Sequence, residues 1–434
     1  DGSWESTSPT FPTWRAPGPH VACLKLVERT VAPSPVRADS LRIAVTLEME
    51  RGGGSHRIWF DVPADCRDGI SRSGNPWLLL MLPIAIAAGE PVMLSEPVDA
   101  HLAENLRGVM AIWQAWFPEL APVAIEAPLS AAPGGGTRRA SFFSGGVDSF
   151  FTLLRHDEAA EGCGSGAVDD LLFIGGWDIP IDSAAELDQT EQRLGTVALR
   201  HGKRLLRIGT NLKRLDTFYK RRWILAHGFA LATVAHLLEG RYGEVVIAST
   251  HSYKRLLPIG SHPLTDPLLG SRGLRVVHDG AAFDRVAKLG RIAASAADLD
   301  ALRVCWEARR HDNCSRCPKC IFTMAALDAL GLAGRTACFD WRDYSARAVA
   351  ALVLDSDSQA QQARDVVLAA RRNRRAELAD AMQQAVERYE RVGRAAALTR
   401  RLPLLWRFEY QIETLLRRRP PRSHAVAQAG HGHG

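Results

Sequence analysis

Two groups of residues have types and spacings that chemistry could use. The first is Ser144-Gly145-Gly146-Val147-Asp148-Ser149, between the apolar run 140–143 and the apolar stretch Phe150-Phe151-Thr152-Leu153-Leu154. Glycines let a chain turn tightly and bring backbone N–H groups against phosphate oxygens. A helix starting there adds its positive end. Ser144 and Ser149 supply hydroxyl donors, and Asp148 either orients the loop or holds Mg²⁺ beside a polyphosphate. A Gly-rich turn with an N-cap is the plain structural reading. The complete Ser-Gly-Gly-x-Asp-Ser between strand and helix favours an anion cradle. It is not a Walker A loop, because no Gly-Lys-Ser/Thr ending follows.

The second group is Cys305, Cys314, Cys317 and Cys320, spaced C-x8-C-x2-C-x2-C. Four thiolates this close together can surround one ion tetrahedrally, and two-residue gaps suit tight knuckle turns. Zn²⁺ is the first choice and an iron–sulfur cluster the second. A closed four-thiolate shell has no open position, so the expected role is structural. The other four cysteines, Cys23, Cys66, Cys163 and Cys338, read as free thiols.

The six-residue loop resembles the signature of the PP-loop ATP pyrophosphatases. Those enzymes cleave ATP between the α and β phosphates, transfer AMP to a substrate oxygen and release pyrophosphate. The cysteine spacing is similar to the zinc site of 7-cyano-7-deazaguanine synthase, which uses ATP to turn 7-carboxy-7-deazaguanine and ammonia into an amide and then a nitrile. The resemblance covers residues 138–330, under half of the chain. It implies a Rossmann-like α/β fold, Mg²⁺ with ATP, and a homodimer. It assigns ATP binding to Ser144, Gly145, Gly146, Val147, Asp148 and Ser149, with Gly175 and Gly176 against adenine and Arg222 nearby. Arg285 and Lys288, following Asp284, resemble an Asp-Lys pair near the phosphates; with Asp148 and Ser149 they make the implied catalytic set.

The sequence departs from the synthase at two strand-end loops. One is Trp177-Asp178-Ile179-Pro180-Ile181-Asp182; the other runs Ser249-Thr250-His251-Ser252-Tyr253 and on through Gly260-Ser261-His262-Pro263-Leu264-Thr265-Asp266. Open α/β sheets bind ligands outside the carboxyl ends of their strands. Trp177, His251, Ser261, His262 and Asp266 are therefore the candidate substrate-binding residues. His251, His262 and Asp266 suit the deprotonation of an amine or the holding of a purine-like edge. A lone histidine is more often structural.

The elements that must position these residues follow from pattern. Short apolar runs at 140–143, 171–174, 205–208, 245–248 and 274–277 alternate with helical stretches, which predicts a parallel sheet. Ser183 and Glu186 form a capping-box pattern for a helix that Gly202 stops. Before this lies an expected α+β domain, residues 21–130, with paired strands at 41–49 and 56–62, helices at 77–88 and 102–116, and strands at 92–95 and 123–127. A flexible tail (1–20) precedes it and a linker (131–137) follows. The PP-loop domain is expected over 138–338, an Arg-rich helical region over 339–422 and a disordered tail over 423–434. Within the helical region, 365–394 and 404–416 read as amphipathic helices.

Composition narrows the remainder. Of the 434 residues, 46% are hydrophobic and 24% charged, which excludes collagen-like, fibrous and disordered classes. The most apolar stretch, 77–88, is too short to span a bilayer and contains Pro83. The opening DGSWESTSPTF has no charged-then-apolar layout, so a cytoplasmic location is expected. The net charge of +6 is local. Residues 341–434 hold 17 Arg against 10 acidic groups, leaving 37 basic and 38 acidic groups elsewhere. The plain reading of these arginines is a solvated helical face, and the sharper one is docking to nucleic acid or an acidic partner.

The expected function is ATP-dependent, AMP-forming activation of a carboxylate, of the 7-deazaguanine type, for amide formation with ammonia or an amine of a partner protein. Synthase-like proteins with added terminal regions also occur in bacterial antiphage defence operons, and this chain resembles them. Two alternatives stand beside it: a PP-loop RNA-modifying enzyme of the thiolation type, and a non-catalytic nucleotide-sensing module. The intact loop speaks against the last.

Overall fold

The computed structural model describes residues 22–50, 54–131, 135–162, 166–214, 218–305 and 313–401. The expected tails, the proposed 404–416 helix, residues 132–134 of the linker and Cys163 lie outside these residues. The chain opens with three long strands, β1 (Leu24–Pro33), β2 (Ser40–Met49) and β3 (Gly54–Pro63). There follow α1 (Asn75–Ala88), β4 (Val92–Met93), β5 (Val98–Asp99), α2 (Ala100–Trp116), β6 (Ile125–Glu126) and β7 (Leu129–Ser130). The alternating part is β8 (Arg138–Phe142), α3 (Val147–Gly162), β9 (Asp170–Gly175), α4 (Ala184–Arg200) and β10 (Arg204–Thr210). It continues through α5 (Phe218–Arg221), α6 (Trp223–Leu237), β11 (Tyr242–Ala248), β12 (Arg275–Asp279) and α7 (Arg285–Ile292). Helices α8 (Ala296–Asp300), α9 (Pro318–Ala329), α10 (Ala346–Ala350), α11 (Asp357–Arg372) and α12 (Ala376–Arg401) follow among the described residues.

Among the described residues ten strands form one sheet in the order β12-β11-β8-β9-β10-β3-β2-β1-β4-β6. The five strands expected from apolar runs are all present and all parallel to their neighbours among themselves. In chain order they lie 5-4-1-2-3, consistent with a Rossmann-like arrangement, so the topological switch falls between β8 and β11. Their near-continuous apolar runs reflect burial on both faces. Leu172, Val245 and Ile247 enter one core, and Leu171, Phe173 and Val246 the other.

The N-terminal strands do not stand apart. β3 pairs antiparallel with β10 through Gly209–Asp61 and Thr210–Phe60, and the Asn211 side chain extends the pairing by accepting from Trp59 N and donating to Arg57 O, both at 2.9 Å. β1–β3, α1, α2 and α6 share one core. On the opposite face α10, α11 and α12 join α3, α4, α7 and α9 in the second.

The 77–88 stretch is a buried helix. α1 is apolar all round because it lies inside the core against α6, itself apolar all round. Pro83 deprives the Leu79 carbonyl of its helical N–H partner. The buried Tyr219 hydroxyl donates to Leu79 O at 3.3 Å and to Leu80 O at 3.0 Å. No helix among the described residues is long and apolar enough to cross a membrane.

Two local expectations need correction. α4 starts after Ser183 and stops at Gly202 (φ 63), but Ser183 makes no side-chain cap, and Glu186 faces Arg303 at 3.7 Å. The expected single helix over 365–394 is two, α11 and α12, broken at Arg374 (φ 57). Four arginines crowd Asn373 there, like charges oppose continuation, and the Asn373 amide donates to Ala329 O at 2.7 Å to fix the corner.

Candidate active site

The loop from β8 to α3 opens at the switch point. Gly145 has φ 76, so its backbone conformation selects glycine. Ser144 Oγ accepts from Gly146 N at 3.4 Å, Ser149 Oγ donates to Gly146 O at 3.0 Å, and Arg303 N donates to Gly145 O at 2.8 Å. Ser144 is exposed at the mouth, while Val147 and Ser149 are buried beneath it. The first turn of α3 begins at Val147, which aims the helix's positive end into the loop.

Asp148 is the hub. Lys288 Nζ lies 2.9 Å from its Oδ1 and Arg285 Nη2 2.9 Å from its Oδ2. Both cations come from α7, three residues apart and therefore on one helical face. Lys288 is 1% exposed and also donates to Ser249 O at the end of β11, which ties α3, α7 and the β11 loop together. Burial works against charge on Asp148, but Lys288 and Arg285 hold its carboxyl below the usual carboxylate range. With one cation on each oxygen, Asp148 holds Arg285 and Lys288 in place at the start of α3. Arg285 Nε is a buried donor with no acceptor among the described residues, as an anion-binding guanidinium would be. Asp284 caps α7 by accepting from Ala287 N at 2.9 Å.

Gly175 and Gly176 end β9 beside the loop. At Gly176 (φ 100) a Cβ would lie 2.0 Å from Thr210 O, so β9 and β10 can close only around glycine. Trp177 stacks edge-on with Trp223 (ring centroids 5.2 Å apart), and Lys213 donates to Trp177 O at 3.1 Å. The Trp177 indole N–H is a buried donor without an acceptor among the described residues. Arg222 is exposed immediately before α6, next to Trp223.

The proposed substrate loop divides. His251 lies within electrostatic reach of Asp148 and Arg285; burial pushes its imidazole below the ordinary value, and its Nδ1 is 2.9 Å from Ser358 Oγ of α11. Ser261, His262 and Asp266 are instead occupied with folding their own loop. Asp266 accepts from Ser261 Oγ at 2.7 Å and His262 N at 3.1 Å, and its Oδ2 lies 2.7 Å from His278 Nδ1. His262 Nδ1 accepts from Leu264 N at 3.0 Å, and its ring packs on Trp116 of α2.

The four cysteine sulfurs all lie within 4.8 Å of one another. Cys305–Cys317 and Cys314–Cys320 are 3.8 and 3.9 Å apart, against about 3.8 Å for the edge of a tetrahedron with Zn–S bonds of about 2.3 Å. Cys317 N donates to Cys314 Sγ at 3.2 Å, and Cys320 N to Cys317 Sγ at 3.4 Å, across a knuckle whose Ser315 is left-handed (φ 58). Asn313 braces the set, accepting from Val304 N and Cys305 N and donating to Leu302 O and Cys338 O. These residues can hold a metal such as zinc. Cys23, Cys66 and Cys338 are free thiols.

Three residues near the site were missed from sequence: Ser358, which holds His251, Lys319 and Arg303. Lys319, inside the Cys317-Pro318-Lys319-Cys320 knuckle, is within electrostatic reach of Arg285, Asp178, Asp148 and Arg303, and burial pushes its ammonium down to about 8. Arg303 touches the loop through its backbone. The knuckle thus brings a cation within electrostatic reach of Asp148, and a lysine between two of the clustered cysteines was the only signal of it. Comparisons with protein-family models, curated proteins and solved structures find no match.

Proposed function

We propose that this chain is an ATP-dependent, AMP-forming carbon–nitrogen ligase that activates a carboxylate of the 7-carboxy-7-deazaguanine type. The observation that carries the reading is the Asp148–Arg285–Lys288 cluster at a Ser-Gly-Gly-x-Asp-Ser loop on the sheet's switch point. Loop N–H groups and the Ser144 hydroxyl take the pyrophosphate oxygens, and Arg285 and Lys288, aligned by Asp148, neutralise charge growing on the α-phosphate and the leaving group. The substrate carboxylate attacks the α-phosphorus; a P–O bond forms as the bond to pyrophosphate breaks, leaving an acyl-adenylate. An amine then attacks the acyl carbon, and AMP departs with the C–O electron pair. Positioning and charge neutralisation supply most of the rate.

Zinc, held by Cys305, Cys314, Cys317 and Cys320, would fix the Lys319 knuckle against the loop. No step depends on it. The 7-deazaguanine acid, the amine of a partner protein and the antiphage setting rest on the sequence resemblance. Incubation with Mg-ATP, 7-carboxy-7-deazaguanine and ammonium chloride, followed by mass spectrometry, tests the reading. An amide or nitrile product with matching AMP supports it; ATP binding without AMP in the presence of this acid favours the nucleotide-sensing alternative.

A further inference from the structure

Helix α11 closes over the rim of this site. A cleft lies between the loop after β11, the turn before α7 and α11, with His251, Arg285 and Ser358 in its wall. Because Arg285 also pairs with Asp148, the cleft opens directly beside the anion cradle. His251 is fixed by Ser358 Oγ at Nδ1, and no described residue hydrogen-bonds its Nε2. The acidic part of the wall already holds a primary ammonium. Lys254 Nζ, on a half-exposed side chain, reaches Asp284 at 2.6 Å and Asp365 at 3.4 Å.

We propose that this cleft is the acceptor subsite, that it takes a primary amine, and that His251 is the base with Ser358 as its positioning residue. This rests on the adenylation reading above. With Nδ1–H donating to Ser358, the Nε2 lone pair faces the incoming amine. As the amine nitrogen attacks the acyl carbon, a C–N bond forms, the C–O bond to AMP breaks, and the amine proton passes to Nε2 and then to water. Burial of His251 keeps it uncharged at neutral pH, as a base must be. The charged and titratable groups that bear on it are Asp148 of α3, Arg285 of α7, His227 of α6 and His262 of the following loop, with Asp284, Arg255 and Asp365 in the same cleft.

The test uses the full chain with Mg-ATP and 7-carboxy-7-deazaguanine, and measures pyrophosphate exchange and amide formation separately. His251→Gln is expected to lower the ratio of amide formation to exchange about 100-fold with methylamine. Hydroxylamine, whose nitrogen is unprotonated at neutral pH, is expected to recover most of that loss. Ser358→Ala is expected to move the pH profile of amide formation and, by NMR on the resting protein, the titration midpoint of His251. Methylammonium is expected to perturb the same ring signals without ATP. An unchanged ratio in His251→Gln, or a His251 titration untouched by Ser358→Ala and by methylammonium, overturns the proposal. Absence of exchange in the unaltered protein sinks the adenylation reading instead, and the NMR result still decides whether the amine binds here.

Discussion

Asp148→Asn removes one charge from a cluster built around it. Lys288 is almost fully buried and keeps the Ser249 carbonyl and the face of the Phe151 ring, while Arg285, with 13% of its side chain exposed, keeps a neutral amide. Breaking a buried ion pair from one side costs about 3–5 kcal/mol, because the abandoned charge stays out of water. Asp148 is 17% exposed and the asparagine oxygen still accepts one hydrogen bond, so the lower end applies. About 3 kcal/mol corresponds to roughly a 100-fold change in the folded-to-unfolded ratio. Urea unfolding followed by circular dichroism measures it. Lys288→Met in the same chain should recover about 2 kcal/mol, since the charge that suffered is gone. The pH dependence has a fixed sign. The Asp148 carboxyl titrates below its unfolded value, so its stabilisation is present above about pH 4 and is lost as pH falls through the lower folded value. A cost under about 1 kcal/mol, or strict additivity of the two substitutions, refutes the hub assignment.

Cys314→Ser should abolish stoichiometric zinc by elemental analysis and lower the melting temperature, because structural zinc binding is folding free energy; equal metal content and stability would remove the metal centre. His201 bridges Asp157 at 2.8 Å and Asp298 at 3.2 Å, and the Asp157 hydrogen bond, with help from Asp298, raises its imidazole above the ordinary value. His201→Gln should cost about 2 kcal/mol below about pH 6.5. The difference should shrink as pH rises through the folded value, because a raised pKa confers stability only while the ring is protonated. Denaturation at two pH values decides it.

Much of this was legible because burial leaves a period in the sequence. The five parallel strands, covered on both faces, read as apolar runs, and the strand–loop–helix around Gly145 followed from them. β1 was not seen: of its residues, Leu-Lys-Leu-Val-Glu-Arg-Thr-Val-Ala-Pro, only Leu24 is buried, the rest are half-buried or exposed, and charge recurs every few positions. The β3–β10 junction was equally invisible, since pairing between residues about 150 apart has no local signature. At the site, the Ser144–Asp148 motif and the cysteine spacing are local and were readable. Arg303, Lys319 and Ser358 arrive from three later segments by packing alone. His262 and Asp266 were read as ligand-facing, and the structure adds that both hold their own loop together, a use that draws on the same buried polar residue types.

The measurement that tests the central claim most directly is which bond of ATP is broken. ATP labelled in its α-phosphate, incubated with the full chain and 7-carboxy-7-deazaguanine, should yield labelled AMP and an equal amount of pyrophosphate, with Arg285→Ala and Lys288→Met losing this product. ADP with inorganic phosphate, or AMP formation indifferent to both substitutions, would contradict it.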